Sequence, residues 1–211
     1  MTGPERRSLG CFGVLRRAQP ILLAAALLVF VVPASIAADV RGDASRTRSL
    51  LVNGDSLAVG TAPYLPRALR RWRVTQSTAI SRHAFEGPSV MRAYGRGLPR
   101  VIHVSLGTND DPRNLSGFRA AIREVMAVAG PRRCVVWANI VRPPVAGASY
   151  AGYNRVLREE SKPRQNLRVV DWARMVRENP GWLAGDGVHV SATGYQYRAS
   201  RIAKSVRRCH K

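Results

Sequence analysis

Along the chain, five short strand-like runs alternate with longer amphipathic stretches. The runs are Ser49–Val52, Arg73–Gln76, Val101–Leu106, Cys134–Ile140 and Leu167–Val170. Two of them, VIHVSL and CVVWANI, are rich in β-branched residues and almost continuously apolar, as strands covered on both faces of a parallel sheet are. Between the runs, Leu57–Leu69, Phe85–Tyr94, Leu115–Ala129 and Tyr150–Glu160 carry apolar residues near helical spacing, and so does the final stretch Ala192–Arg208. This alternation predicts an α/β fold with a parallel sheet and right-handed crossovers. Such sheets bind ligands beyond the carboxyl ends of their strands. Three polar motifs fall there: Asn53-Gly54-Asp55-Ser56 after the first strand, Gly107-Thr108-Asn109-Asp110 after the third, and Asp186-Gly187-Val188-His189 after the fifth.

The start of the chain has a different character. Arg6, Arg7, Arg16 and Arg17 precede an apolar run from Ile21 to Val32, which Pro33 and the small residues Ala34, Ser35 and Ala37 close. A basic region, a short apolar core and a small-x-small exit form an export signal. The run is short beside the roughly 20 residues of a stable membrane helix. Residues 1–37 are therefore read as a cleaved signal peptide or an uncleaved N-terminal anchor, either of which places the remainder outside the cytoplasm. The polar stretch 38–47 reads as a flexible lead-in, and 48–211 as one domain.

Composition adds a strong positive charge, with 34 Lys and Arg against 13 Asp and Glu for a net +21. Nearly all of it is arginine, whose fork pairs bidentately with phosphates and carboxylates. An anionic cell-envelope polymer is one expected partner; a generally basic, soluble surface is the plainer reading. No nucleic-acid recognition motif accompanies the charge, so no nucleic acid is expected. Cys11 lies in the leader, leaving Cys134 and Cys209 either as a disulfide or as two thiols. No cysteine–histidine cluster has metal-ligand spacing, and neither metal nor cofactor is expected.

The three motifs also carry candidate chemistry. Ser56 stands where a strand hands over to a helix, with Gly54 easing the turn, and is read either as a nucleophile or as a helix cap. Asn109 offers a side-chain amide to a developing oxyanion, with Gly107 bringing the backbone close to substrate. Asp110 and Asp111 are orienting groups or loop caps. A serine hydroxyl needs a base, and the base works best when a carboxylate fixes its tautomer; Asp186 and His189 supply both in one loop bent at Gly187. His103 lies within a strand and reads as a core residue, His83 has no carboxylate at this spacing, and His210 is terminal.

Taken in order, these motifs resemble the blocks of the SGNH (GDSL-like) hydrolases: Gly-Asp-Ser, Gly-x-Asn-Asp and Asp-x-x-His. The resemblance spans roughly residues 50–203. It implies a flavodoxin-like α/β/α sandwich with five parallel strands in the order 2-1-3-4-5. It further implies Ser56 as nucleophile and oxyanion amide, Asn109 as oxyanion donor, His189 as base and Asp186 as its orienter. The family's second block supplies a glycine amide to the oxyanion hole. Here Ser81 occupies that place, with Gly87 the alternative. The strings Val170-Asp171-Trp172-Ala173 and Asp186-Gly187-Val188-His189-Val190-Ser191 resemble domains of wall-glycan O-acetyltransferase proteins. The implied function is an exported serine esterase acting on an O-acyl ester, such as acetyl, of a cell-wall carbohydrate or a lipid. The alternatives are an O-acyltransferase with the same triad and a silent basic binding module. A monomer is expected, with membrane contact only through the N-terminal segment.

Overall fold

A computed structural model describes residues 48–209; the leader, the lead-in, Cys11 and His210 lie outside the described residues. Five parallel strands form one sheet: β1 (Ser49–Gly54), β2 (Arg73–Thr78), β3 (Val101–Ser105), β4 (Cys134–Ala138) and β5 (Leu167–Val170). Their order is β2-β1-β3-β4-β5, as the family resemblance implies. Leu50 lies opposite Val74 on one side and Val101 on the other, while Val135 pairs with Ile102 and Leu167.

Successive strand side chains point to opposite faces, so the apolar runs feed two cores. Leu51, Ile102, Val104, Val135 and Trp137 pack in one, with α3 (Gly87–Ala93), α4 (Leu115–Ala129) and α5 (Ala151–Ser161). Leu50, Val52, Val101, Val136 and Ala138 pack in the other, with α1 (Ser56–Thr61), α2 (Leu65–Ala68), α6 (Trp172–Glu178) and α7 (Ala192–Arg208). The central strands are buried on both faces and hence read as continuous apolar runs. Strand β2 lies at an edge and has only exposed and half-buried residues, which explains its polar sequence.

Two expectations are corrected, and one helix is added. The single helix expected over Leu57–Leu69 breaks into α1, a 3₁₀ turn (Ala62–Tyr64) and α2. Pro63 and Pro66 each remove a backbone N–H, which a continuous helix cannot spare. The run Cys134–Ile140 is strand only to Ala138, because the Ile140 amide turns aside to Asn154 Oδ1 at 2.8 Å. Helix α6 was hidden by its shortness; Asp171 caps it, accepting the Arg174 amide at 3.2 Å.

Cys134, opening β4, is bonded to Cys209 at the end of α7, across a sequence separation of 75 residues. Closing a loop of that length contributes about 4 kcal/mol in the chain-entropy model.

Candidate active site

The Ser56 turn is built from buried polar groups. Asp55, with no exposed surface, caps α1 by accepting the Leu57 amide on Oδ1 at 3.0 Å, so the cap is Asp55 and Ser56 is the first helical residue. The Asp55 amide donates to Ser105 O at 3.0 Å, tying the turn to the end of β3. Gly54 is required by close approach: a Cβ there would lie 2.3 Å from the Ala58 Cβ and 3.1 Å from that of Ser105. Asn53 is buried and structural, donating to Gly87 O at 2.9 Å.

Opposite Ser56 stands the loop between the 3₁₀ turn Pro180–Trp182 and α7. His189 Nε2 lies 2.9 Å from Ser56 Oγ, and His189 Nδ1 lies 2.6 Å from Asp186 Oδ2. The second Asp186 oxygen accepts the Val188 and His189 amides at 2.9 and 3.0 Å. The His189 hydrogen bond, followed by these amides, holds the Asp186 carboxyl down to about 2. Asp186 is thus ionised across the working pH range of a histidine base. Gly187 adopts φ +67°, and a Cβ there would also strike Pro143, so both backbone and space call for glycine. Ala184 N donates to His189 O at 2.8 Å, closing the loop on itself.

Ser81 and Asn109 line the same cleft as the three triad candidates. Ser81 has φ +61°, the left-handed region where glycine is the ordinary occupant, in keeping with the glycine of the family's second block. Gly87 lies elsewhere: it starts α3, is buried, and its carbonyl serves Asn53. Asn109 Nδ2 donates one hydrogen to Arg82 O at 3.2 Å; an amide nitrogen carries two, leaving another for a substrate oxygen. Gly107 is required by its conformation and by packing on its core side. Its φ is +111°, and a Cβ would meet Ile140 and Phe118 of the core at 2.7 and 2.8 Å.

Asp110 receives the Ala84 amide at 3.0 Å and lies 3.6 Å from His83, bracing the Ser81 segment. Burial pushes its carboxyl up, opposed by the Ala84 amide and His83. Asp111 instead pairs with exposed Arg113. His103 is buried in β3, with Nδ1 2.9 Å from Val136 O, and burial lowers it to about 3, so it is a neutral core residue as expected.

Sequence reasoning missed Arg82, whose guanidinium reaches the carbonyls of Ser77 and Gly54 and the Asn53 side chain. One long side chain thus pins the Ser81 loop to the ends of β1 and β2, a contact no spacing signals. Also missed were the cleft walls: Ile80, Arg142, Pro143, Pro144, Val145 and Val188 enclose about 530 Å³ beside Ser56. The Arg-Pro-Pro string after β4 was the only available hint. Among the described residues, no group of three His, Cys, Asp or Glu side chains is arranged to hold a metal ion. No described helix is long and apolar enough to cross a membrane.

No family model matches the sequence, and no curated protein does either. Solved structures do match. The C-terminal catalytic domain of Streptococcus pneumoniae peptidoglycan O-acetyltransferase A superposes with a TM-score of 0.61 at 18% identity, over 77% of this chain and 91% of that one. A lipolytic G-D-S-L family protein of Veillonella parvula gives 0.62 at 14%, over 75% and 97%. A Clostridium thermocellum family 3 carbohydrate esterase gives 0.63 at 17%, over 79% and 100%. With its strand order and these likenesses, the chain has the fold of the SGNH (GDSL-like) hydrolases.

Proposed function

We propose that the protein is a serine esterase of the SGNH type, exported, that removes a short O-acyl group from a cell-envelope carbohydrate. The observation carrying this reading is the continuous array Ser56 Oγ, His189 Nε2, His189 Nδ1 and Asp186 Oδ2, with steps of 2.9 and 2.6 Å. His189 takes the Ser56 proton as Oγ attacks the ester carbonyl, and the Ser56 and Ser81 amides with Asn109 Nδ2 receive the oxyanion. His189 then protonates the leaving alcohol. Water, deprotonated by the same imidazole, next releases the acid from acyl-Ser56.

Hydrolysis is favoured over transfer by how open the base is: the His189 and Asp186 side chains are 42% and 49% exposed, so water reaches the acyl-enzyme. The apolar Ile80, Val145 and Val188 side chains line the cleft where the acyl group would lie, and a small acyl group is supported by the neighbour described as a peptidoglycan O-acetyltransferase. A glycan acceptor is supported by two structural neighbours, described as a peptidoglycan O-acetyltransferase and a carbohydrate esterase. Export is supported by the leader pattern and by the Cys134–Cys209 disulfide, a bond favoured outside the cytoplasm.

The test is hydrolysis of p-nitrophenyl acetate, butyrate and octanoate, alongside acetate release from acetylated wall glycan, by the wild type and Ser56→Ala. The expected outcome is a preference for acetate, release from the glycan, and a loss of at least about 10³ in Ser56→Ala. Equal turnover by wild type and Ser56→Ala would overturn the assignment. A wild type active on octanoate but not on glycan would move the substrate to lipid.

A further inference from the structure

Directly behind the nucleophile turn lies a charged group that the triad does not use. Arg198, on α7, is 1% exposed, and its guanidinium sits 4.9 Å from the centre of the Trp172 ring. Its Nη2 donates to Ser105 Oγ at 2.9 Å, and the Ser105 hydroxyl in turn lies 3.3 Å from Asp55 Oδ1. The hydroxyl accepts from the cation and donates to the carboxylate, so the two buried charges communicate through one oxygen. Asp55 Oδ1 is the atom that caps α1 through the Leu57 amide, one residue beyond Ser56.

This arrangement is poor as a device for stability alone. A buried ion pair is often no more stabilising than well-packed apolar residues of similar volume. Here the pair is also imperfectly satisfied: Arg198 Nε and Nη1, Asp55 Oδ2, His103 Nε2 and Trp172 Nε1 are buried without a hydrogen-bond partner. These atoms all belong to Arg198 or to groups that interact with it. Unsatisfied buried polar atoms call for an explanation beyond packing.

We propose, resting on the reading of Ser56 as nucleophile, that Arg198 is a positioning residue that acts through Ser105 on the Asp55 carboxylate to hold the Ser56 turn in its reactive geometry. An ionised carboxylate accepts the Leu57 and Ser105 hydrogen bonds more strongly than a neutral acid does. Those bonds, with the Asp55 amide bound to Ser105 O, fix where the Ser56 hydroxyl and amide point. Burial pushes the Asp55 carboxyl up, and Arg198 is the foremost influence opposing that. Desolvation lowers Arg198 itself only to about 10, so it remains a cation at neutral pH. The other groups facing the pair are Thr108, beside Asp55; neutral His103 on β3; Trp172 on α6; and Tyr195 on α7. Within this set Asp55 and Arg198 are the acid and the cation that face each other, and Arg198 favours the ionised form of Asp55.

The experiment measures kcat and KM for p-nitrophenyl acetate from pH 5 to 9 in Arg198→Met, Arg198→Lys, Ser105→Ala and Ser56→Ala. In the variants that keep Ser56, active sites are counted by stoichiometric phosphonylation of that serine, so that a misfolded fraction does not enter kcat; Ser56→Ala is measured per folded protein. Arg198→Met is expected to lose about 10- to 100-fold in kcat per active site with KM little changed, because the defect lies in alignment. Its activity should recover as pH rises, since Asp55 without its cation ionises only at higher pH. Arg198→Lys, which keeps the charge, should lose less and retain the wild-type pH profile. Unchanged kcat and pH profile in Arg198→Met overturn the proposal. Should that variant fail to fold, unchanged kcat in Ser105→Ala overturns it equally. Full turnover in Ser56→Ala overturns the nucleophile assignment itself, which is a distinct result.

Discussion

The two halves of the candidate site are held by different physics. The Ser56 turn is anchored from below by long-range contacts: Asp55 to Ser105, Gly54 against Ala58 and Ser105, Arg82 over the ends of β1 and β2. The Asp186–His189 loop is anchored mainly by itself: apart from the bond of His189 to Ser56, the hydrogen bonds of its residues run between positions two to five apart, and its side chains are about half exposed. A nucleophile needs its angle fixed against a scaffold and has few internal degrees of freedom to offer. The imidazole needs only a tautomer and a direction, which a four-residue loop can supply. The buried half is therefore intolerant of substitution, and the exposed half tolerates partial loss.

Asn109→Ala provides the largest contrast, because it removes an oxyanion donor from the rigid side. Turnover should fall by about 10²–10³ with KM little changed. Steady-state kinetics on p-nitrophenyl acetate check this; a change in KM alone would reassign Asn109 to ground-state binding.

Asp186→Asn tests the self-contained loop. Solvent and the Val188 and His189 amides still surround the position, so the expected loss is about 10- to 10²-fold, below the roughly 10⁴ of a deeply buried triad aspartate. A larger loss would show that the loop depends on the carboxylate as strictly as the turn depends on Asp55.

Stability against pH sharpens the same contrast. His103, held near 3 in the fold against 6.5 when unfolded, binds its proton first in the unfolded chain. Its depressed value means that its contribution is present above pH 6.5 and is lost as pH falls toward about 3. The slope from one such group is at most about 1.4 kcal/mol per pH unit. Urea unfolding at pH 7, 6, 5 and 4 should show this slope in the wild type and a shallower one in His103→Gln. Asp186 titrates at 3.8 when unfolded and at about 2 in the fold, so Asp186→Asn should leave the slope between pH 7 and 5 alone.

Ser81→Gly has the smallest expected effect. The left-handed backbone at Ser81 costs a non-glycine residue about 1 kcal/mol, partly regained through the greater freedom of glycine in the unfolded chain. The variant should be equal or slightly higher in melting temperature, with turnover within about threefold, because the backbone amide is kept. A large fall in turnover would reveal a role for the Ser81 hydroxyl.

The strand–helix alternation and the three polar blocks were legible because periodicity and short-range motifs are properties of neighbouring residues. The continuous apolarity of Val101–Ser105 and Cys134–Ala138 encodes burial on both faces, and Asp186, Gly187 and His189 lie within one loop, so their pairing is local. Pro63 and Pro66 mark the helix break locally, each lacking an N–H, whereas the role of Gly107 was hidden because its neighbours Ile140 and Phe118 come from other elements. Arg82 and Arg198 read as two more arginines in a strongly basic chain. Their significance depends on what surrounds the far end of a long side chain, and only folding brings Ser77, Ser105 and Asp55 there. The residue types that can do the chemistry are thus written locally. The burial and alignment that would let Ser56 do it are fixed by contacts between residues as distant as Ser105 and Arg198, 93 positions apart.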